Sequence, residues 1–124
     1  ITRDCLAISY GTKHGAVKGN NIKLRKEIAI ASMENMRHEG IEGALVSHGS
    51  SMVPKYLVDE INELGGKLAN AVGIPVYELL EAIPCGISKI NIDTDIRLAV
   101  TRKQLGQKRI PQDMGTDAGT ARTI

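Results

Sequence analysis

At 124 residues the chain is long enough for one domain with a sizeable core and too short for two. Sixteen Lys and Arg against fourteen Asp and Glu leave a formal charge of +2, which argues against the concentrated basic surface of a nucleic-acid binder. Trp and Phe are missing and Tyr10, Tyr56 and Tyr77 are the only aromatic residues, which argues against stacking of bases on aromatic rings and means that the core must be built from Ile, Leu, Val, Ala and Met.

In chain order, Cys5 to Tyr10 reads as a short apolar strand closed by Gly11, and Gly43 to Ser47 and Ile87 to Ile92 have the same form. All three are predicted to be buried. The chain opens on Ile1 rather than Met and enters the first strand almost at once, so further sequence upstream is expected. A helix is predicted between the first two strands, with Ile22, Ala29, Met33 and Met36 on one face and Leu24, Ile28 and Ala31 on the other; its buried side stays open, and Gly40 is its stop. Leu57, Val58, Ile61 and Leu64 recur at helical spacing behind Pro54 and end at Gly65-Gly66. Behind Pro75, a helix from Val76 to Ile83 places Val76, Leu79, Leu80 and Ile83 on one face. Thr94 or Asp95 can cap a last helix beginning at Ile96, because a short oxygen-bearing side chain satisfies first-turn N–H groups. From Arg102 the period fails around Gly106, Gly115 and Gly119. Residues 102–124 therefore read as a divergent tail, poorly ordered or a departure from the parent sequence, and residues 1–101 as the structured part.

Cys5 and Cys85 sit in apolar surroundings without CxxC spacing, which predicts buried, reduced thiols in a cytoplasmic protein. No apolar run approaches a membrane span, and the first residues lack the pattern of a secretory leader.

Apolar strands alternating with helices imply a parallel α/β fold. Each strand is followed by a polar cluster: Gly11-Thr-Lys-His-Gly15, His48-Gly-Ser-Ser51 and Asn91-Ile-Asp-Thr-Asp95. In a parallel barrel these strand ends share one face, so residues distant in sequence converge there. His14 and His48 are the histidines of these clusters, and neutral imidazole is a common zinc ligand. By spacing alone, a histidine near a strand end more often makes a local hydrogen bond. A catalytic zinc site also needs a third protein ligand. Gly49, Ser50 and Ser51 before one helical segment, and Asp93, Thr94 and Asp95 before another, offer backbone N–H groups to a phosphate; the same residue types cap helices as readily. Lys18, bracketed by Gly15 and Gly19, is in a loop that can approach a phosphate, although its pattern is weak.

Taken together, Leu6 to Gly19, Leu45 to Pro54 and Gly86 to Ala99 resemble the class II, zinc-dependent fructose-bisphosphate aldolases, most specifically at Asn91 to Asp95. The resemblance implies about three C-terminal βα units of a TIM (β/α)8 barrel, from a homo-oligomeric parent enzyme. It implies that His14 and His48 bind Zn2+. Gly15, Gly49, Ser50 and Ser51 correspond to positions that bind the phosphate of dihydroxyacetone phosphate, and Asn91, Ile92, Asp93 and Thr94 to a further substrate-binding run. In that family zinc acts as a Lewis acid on the ketone during reversible cleavage of fructose 1,6-bisphosphate to dihydroxyacetone phosphate and glyceraldehyde 3-phosphate, a step of glycolysis and gluconeogenesis. The family's acid/base Asp and the zinc-binding His beside it lie upstream of this chain, so no catalytic residue is assigned here and the chain alone is expected to be inactive. Tagatose-bisphosphate aldolases share these motifs, and a non-catalytic phosphate-binding fragment is the alternative from another class. Tyr10 stands where the family commonly has an aliphatic residue, and Met52 where it often has a small or polar one.

Overall fold

The computed structural model of the protein describes residues 4–108. Three parallel strands, β1 (Cys5–Ala7), β2 (Ala44–Ser47) and β3 (Ile87–Ile90), form one sheet in the order β1-β2-β3. Cys5 pairs with Ala44 and Leu45 with Ile87; the β2–β3 register shifts between Leu45 and Val46. Parallel neighbours require a crossover. Helix α1 (Lys26–His38) makes the first, and α2 (Lys55–Glu63) with α3 (Val76–Ala82) makes the second; α4 (Thr94–Lys108) follows β3. β2 and β3 end where their polar clusters begin, at His48 and Asn91, whereas β1 stops at Ala7, before its apolar run reaches Gly11.

The expectation of three buried strands holds only for the centre. Leu45, Val46 and Ser47 of β2 are buried, whereas β1 is exposed along its length and β3 is exposed at Ser88 and Lys89. The reason is position, since β1 and β3 are the sheet's two edges. The expectation of buried thiols is corrected as well: Cys5, on edge strand β1, is exposed, and Cys85, in the turn before β3, is half-buried.

The main core lies between the sheet and α1 and α3, where Tyr10, Leu24, Ala29, Leu45, Ile74, Leu79, Ala82 and Ile87 are buried together. On α1, Ala29 is fully buried and Ile28, Met33 and Met36 pack partly against the core, while Ile30 and Ala31 face solvent. The buried side thus takes members from both faces read in the sequence. A second cluster, Val53, Leu57, Val58, Ile61 and Leu98, joins α2 to α4.

On α3 the predicted apolar face is not the buried one. Leu79 and Ala82 are buried, but Val76, Leu80 and Ile83 are exposed. Glu78 turns inward instead and is only 4% exposed. Its carboxylate accepts the Leu24 N–H at 2.8 Å and pairs with the Lys26 ammonium at 3.2 Å, while Lys26 also pairs with Glu81. Burial alone would raise the Glu78 pKa, but the Leu24 N–H and the Lys26 charge outweigh it and hold the carboxyl below the usual carboxylate range. A depressed folded pKa makes this contribution complete above the ordinary carboxylate range and lost as pH falls through the lower folded value. Glu78→Gln should lower stability by about 1 kcal/mol near neutral pH, since it trades a charged acceptor for a neutral one. In urea denaturation as a function of pH, the gap between wild type and variant should close on acidification.

Helix α4 begins at Thr94 and continues past Arg102 to Lys108. The boundary read at Arg102 is therefore not the helix end. Arg102 pairs with Glu60 of α2 at 2.5 Å and Leu105 packs partly against the second cluster, so tertiary contacts carry the helix through Gly106. The rest of the predicted tail lies outside the described residues. Among the described residues, no helix is long and apolar enough to cross a membrane.

Candidate active site at the strand ends

His14 lies on the loop after β1, His48 directly after β2, and Asn91 directly after β3. Parallel topology brings all three to one face. The His14 and His48 rings are 6.3 Å apart between centroids and tilted by 43°, and both residues are exposed. The Asn91 side-chain amide nitrogen lies 3.2 Å from Nδ1 and 3.3 Å from Nε2 of His48, so it sits against that imidazole. His38, at the end of α1, is exposed and apart from them.

These side chains open onto a cleft of about 290 Å³. Its lining includes His14, Gly15, His48, Gly49, Ser51, Asn91, Ile92, Asp93 and Thr94, every sequence-predicted site residue except Ser50. Ser50 is fully buried: its hydroxyl bonds to that of Ser47 at 2.6 Å, and its N–H donates to the Asn91 carbonyl at 3.4 Å. Ser51 Oγ accepts the N–H groups of both Asp93 and Thr94 at 3.1 Å. The α4 N-terminus is thus capped from another loop rather than by Thr94 or Asp95. With its lone pairs occupied, the Ser51 hydroxyl has its proton left to donate.

Two residues of the cleft carried little or no sequence signal. Lys18 is 6% exposed, and its ammonium donates to the Gly49 carbonyl at 2.9 Å and to the Lys13 carbonyl, tying the His14 loop to the His48 loop. Burial lowers its pKa, partly offset by the charge of Asp95. The bracketing glycines were the only hint of this placement. Arg97 also lines the cleft, one helical turn from Asp93, with which it pairs at 3.6 Å.

Asp95 is the other residue whose role the sequence did not reveal. It is buried, and its carboxylate accepts the Met52 N–H at 2.8 Å and the Val53 N–H at 2.7 Å. Val53 has φ +51°, a conformation that a β-branched residue adopts only under constraint. Asp95 therefore fixes the loop that carries Ser51. Among the described residues, no third His, Cys, Asp or Glu joins His14 and His48 in a metal-binding group.

The strand ends of this parallel α/β sheet gather two imidazoles, an amide and the start of a helix on one face, which are groups of the kinds that hold metal ions and phosphates. Comparison with known proteins makes this specific. The family model for class II fructose-bisphosphate aldolase matches residues 1–122, and the chain belongs to this metal-dependent family of lyases. A fructose-bisphosphate aldolase class 2 from Synechocystis sp. is 43% identical over 98 residues, covering 79% of this chain and 27% of that protein. The fructose-bisphosphate aldolase of Giardia intestinalis is 43% identical over 99 residues, 79% of this chain and 30% of its own. A plasmid-borne fructose-bisphosphate aldolase from Cupriavidus necator is 41% identical over 109 residues, 86% of this chain and 32% of its own. The chain thus spans less than a third of the length of these curated relatives.

Proposed function

We propose that the chain supplies three C-terminal βα units of a (β/α)8 barrel that reversibly cleaves fructose 1,6-bisphosphate to dihydroxyacetone phosphate and glyceraldehyde 3-phosphate with zinc. The observation that carries this reading is the His14–His48 pair beside phosphate-type donors in one cleft. Two imidazoles bound tetrahedrally to one zinc through bonds of about 2.0–2.1 Å would have centroids roughly 5 Å apart. The observed 6.3 Å lies roughly 1 Å beyond that separation and both rings are exposed, which supports the pair as two of the ion's ligands. Bound there, zinc supplies Lewis-acid polarisation of the ketone. The exposed sheet edges support a larger barrel that would also contribute the missing ligand and the acid/base group.

The chain's own residues bind and orient the substrate. Gly15, Gly49 and Ser51 are assigned to the phosphate, with the Ser51 hydroxyl as a donor and the Lys18 ammonium as nearby positive charge, while Ser50, buried with its hydroxyl on Ser47 and its N–H on the Asn91 carbonyl, is left out of the phosphate site. Ile92, Asp93 and Thr94, assigned to the further substrate-binding run, line the same cleft at the start of α4, where the helix dipole favours an anion. Asn91, beside His48, is assigned to hydrogen-bond the substrate oxygen on which charge grows. Fructose and tagatose bisphosphates differ only in stereochemistry beyond this phosphate end. The reading carries with it a cytoplasmic, homo-oligomeric enzyme. The two free thiols support a reducing compartment.

A phosphate-binding remnant without turnover is the second reading, favoured by the lack of a third metal ligand among the described residues. Cleavage assays on the full polypeptide carrying this chain, with and without a chelator, separate the two. Activity should vanish with chelator and return with zinc. His48→Ala should weaken zinc binding beyond the roughly 100-fold that loss of an outer-sphere partner costs. Activity that ignores the chelator excludes the metal mechanism.

A further inference from the structure

Beneath the cleft runs a line of hydroxyls that the aldolase reading does not use. Tyr10 is 1% exposed, and its Oη lies 2.5 Å from Ser47 Oγ; Ser47 Oγ lies 2.6 Å from Ser50 Oγ. Both serines are fully buried. Tyr10 closes the segment that leads from β1 into the His14 loop, while Ser47 ends β2 immediately before His48. The line therefore joins the roots of the two loops that carry the imidazoles. Above it, the Lys18 ammonium joins the same loops between the Lys13 and Gly49 carbonyls.

We propose that the Tyr10–Ser47–Ser50 hydroxyl line is a positioning device that sets the separation of His14 and His48 for a shared divalent metal. The inference rests on the metal-binding reading above. Position 10 places a buried phenol whose hydroxyl bonds to a second strand end. A buried hydroxyl pair is directional and short, so it fixes the spacing of two strand ends more tightly than apolar contact does. An aliphatic side chain would fill the core without that constraint. Burial raises the Tyr10 pKa, with the Ser47 contact working against it, so the phenol stays protonated and the link is neutral across physiological pH.

The test is zinc and cobalt titration by chelator competition on the full polypeptide, with thermal unfolding measured in parallel. Tyr10→Phe keeps the ring and removes the link. Its metal affinity should fall roughly tenfold, the lower end for loss of an outer-sphere partner, and the cobalt absorption spectrum should change. Tyr10→Phe combined with Ser47→Ala removes both ends of the bond and should show the same metal defect, with a larger loss of thermal stability because the buried Ser50 hydroxyl also loses its partner. Leu79→Val, in the same core but away from the loops, should lose stability and keep wild-type metal affinity and spectrum. Tyr10→Phe binding within twofold of wild type, or Leu79→Val reproducing its metal defect, overturns the proposal. Wild type that binds neither metal overturns the aldolase reading itself, which separates the two failures.

Discussion

Asp95→Ala is expected to lower folding stability by about 3 kcal/mol and to weaken phosphate binding at the proposed site. The carboxylate takes two successive backbone N–H groups, those of Met52 and Val53, at 2.8 and 2.7 Å. Hydrogen bonds to a charged acceptor contribute roughly 1.5–3 kcal/mol each, and Val53 is buried, so its N–H would lose its partner away from water. Part of that loss returns, because Val53 at φ +51° would relax out of a left-handed conformation that costs roughly 1–2 kcal/mol. The phosphate effect follows from continuity. Ser51 precedes the two held residues and bonds to the N–H groups of Asp93 and Thr94, so one loop and one helix start are clamped in both directions. Asp95→Asn keeps one oxygen acceptor and should lose about half as much stability. Urea denaturation measures the first effect, and calorimetry with inorganic phosphate the second. A loss below about 1 kcal/mol in Asp95→Ala would mean that packing, not the carboxylate, shapes residues 51–53.

Local pattern carried the element order and the identity of the strand-end clusters. Strands ended by glycine and helices led by Pro54 or Pro75 declare themselves over a few residues, and parallel topology then brings His14 and His48 to one face without further information. What stayed hidden depends on partners far along the chain. An aspartate at a helix start looks the same whether it caps its own helix or reaches across to Met52 and Val53. Glu78 has the spacing of a surface residue and is drawn inward by Leu24 and Lys26, which rotates α3 away from its apolar periodicity. Lys18 reads as an ordinary loop lysine until two carbonyls from different loops surround it. The extension of α4 past Arg102 rests likewise on Glu60, 42 residues away.

Gly49→Ala should separate the two imidazoles and cost the site its metal affinity, with a stability loss of about 2–4 kcal/mol from backbone strain and overpacking. Gly49 has φ +65°, and a Cβ there would stand 2.8 Å from the Lys13 carbonyl carbon, 3.0 Å from its oxygen and 3.1 Å from the His14 nitrogen. All three are backbone atoms, which cannot swing aside as a side-chain end can, so the His14 loop itself must move. That same Lys13 oxygen and the Gly49 oxygen hold the Lys18 ammonium, and widening the gap between them breaks the bridge. Metal affinity should fall by more than roughly tenfold, since both ligand-bearing loops shift rather than one supporting group. Gly65→Ala supplies the control. Gly65 has φ +100° with nothing within 4 Å of an added Cβ, so it incurs the backbone strain without the steric push. Its stability should drop by the conformational part alone, roughly 1–2 kcal/mol, while metal affinity holds at the wild-type value. Equal affinities for both variants in chelator competition would show that the close approach at Gly49 does not set the spacing of the rings.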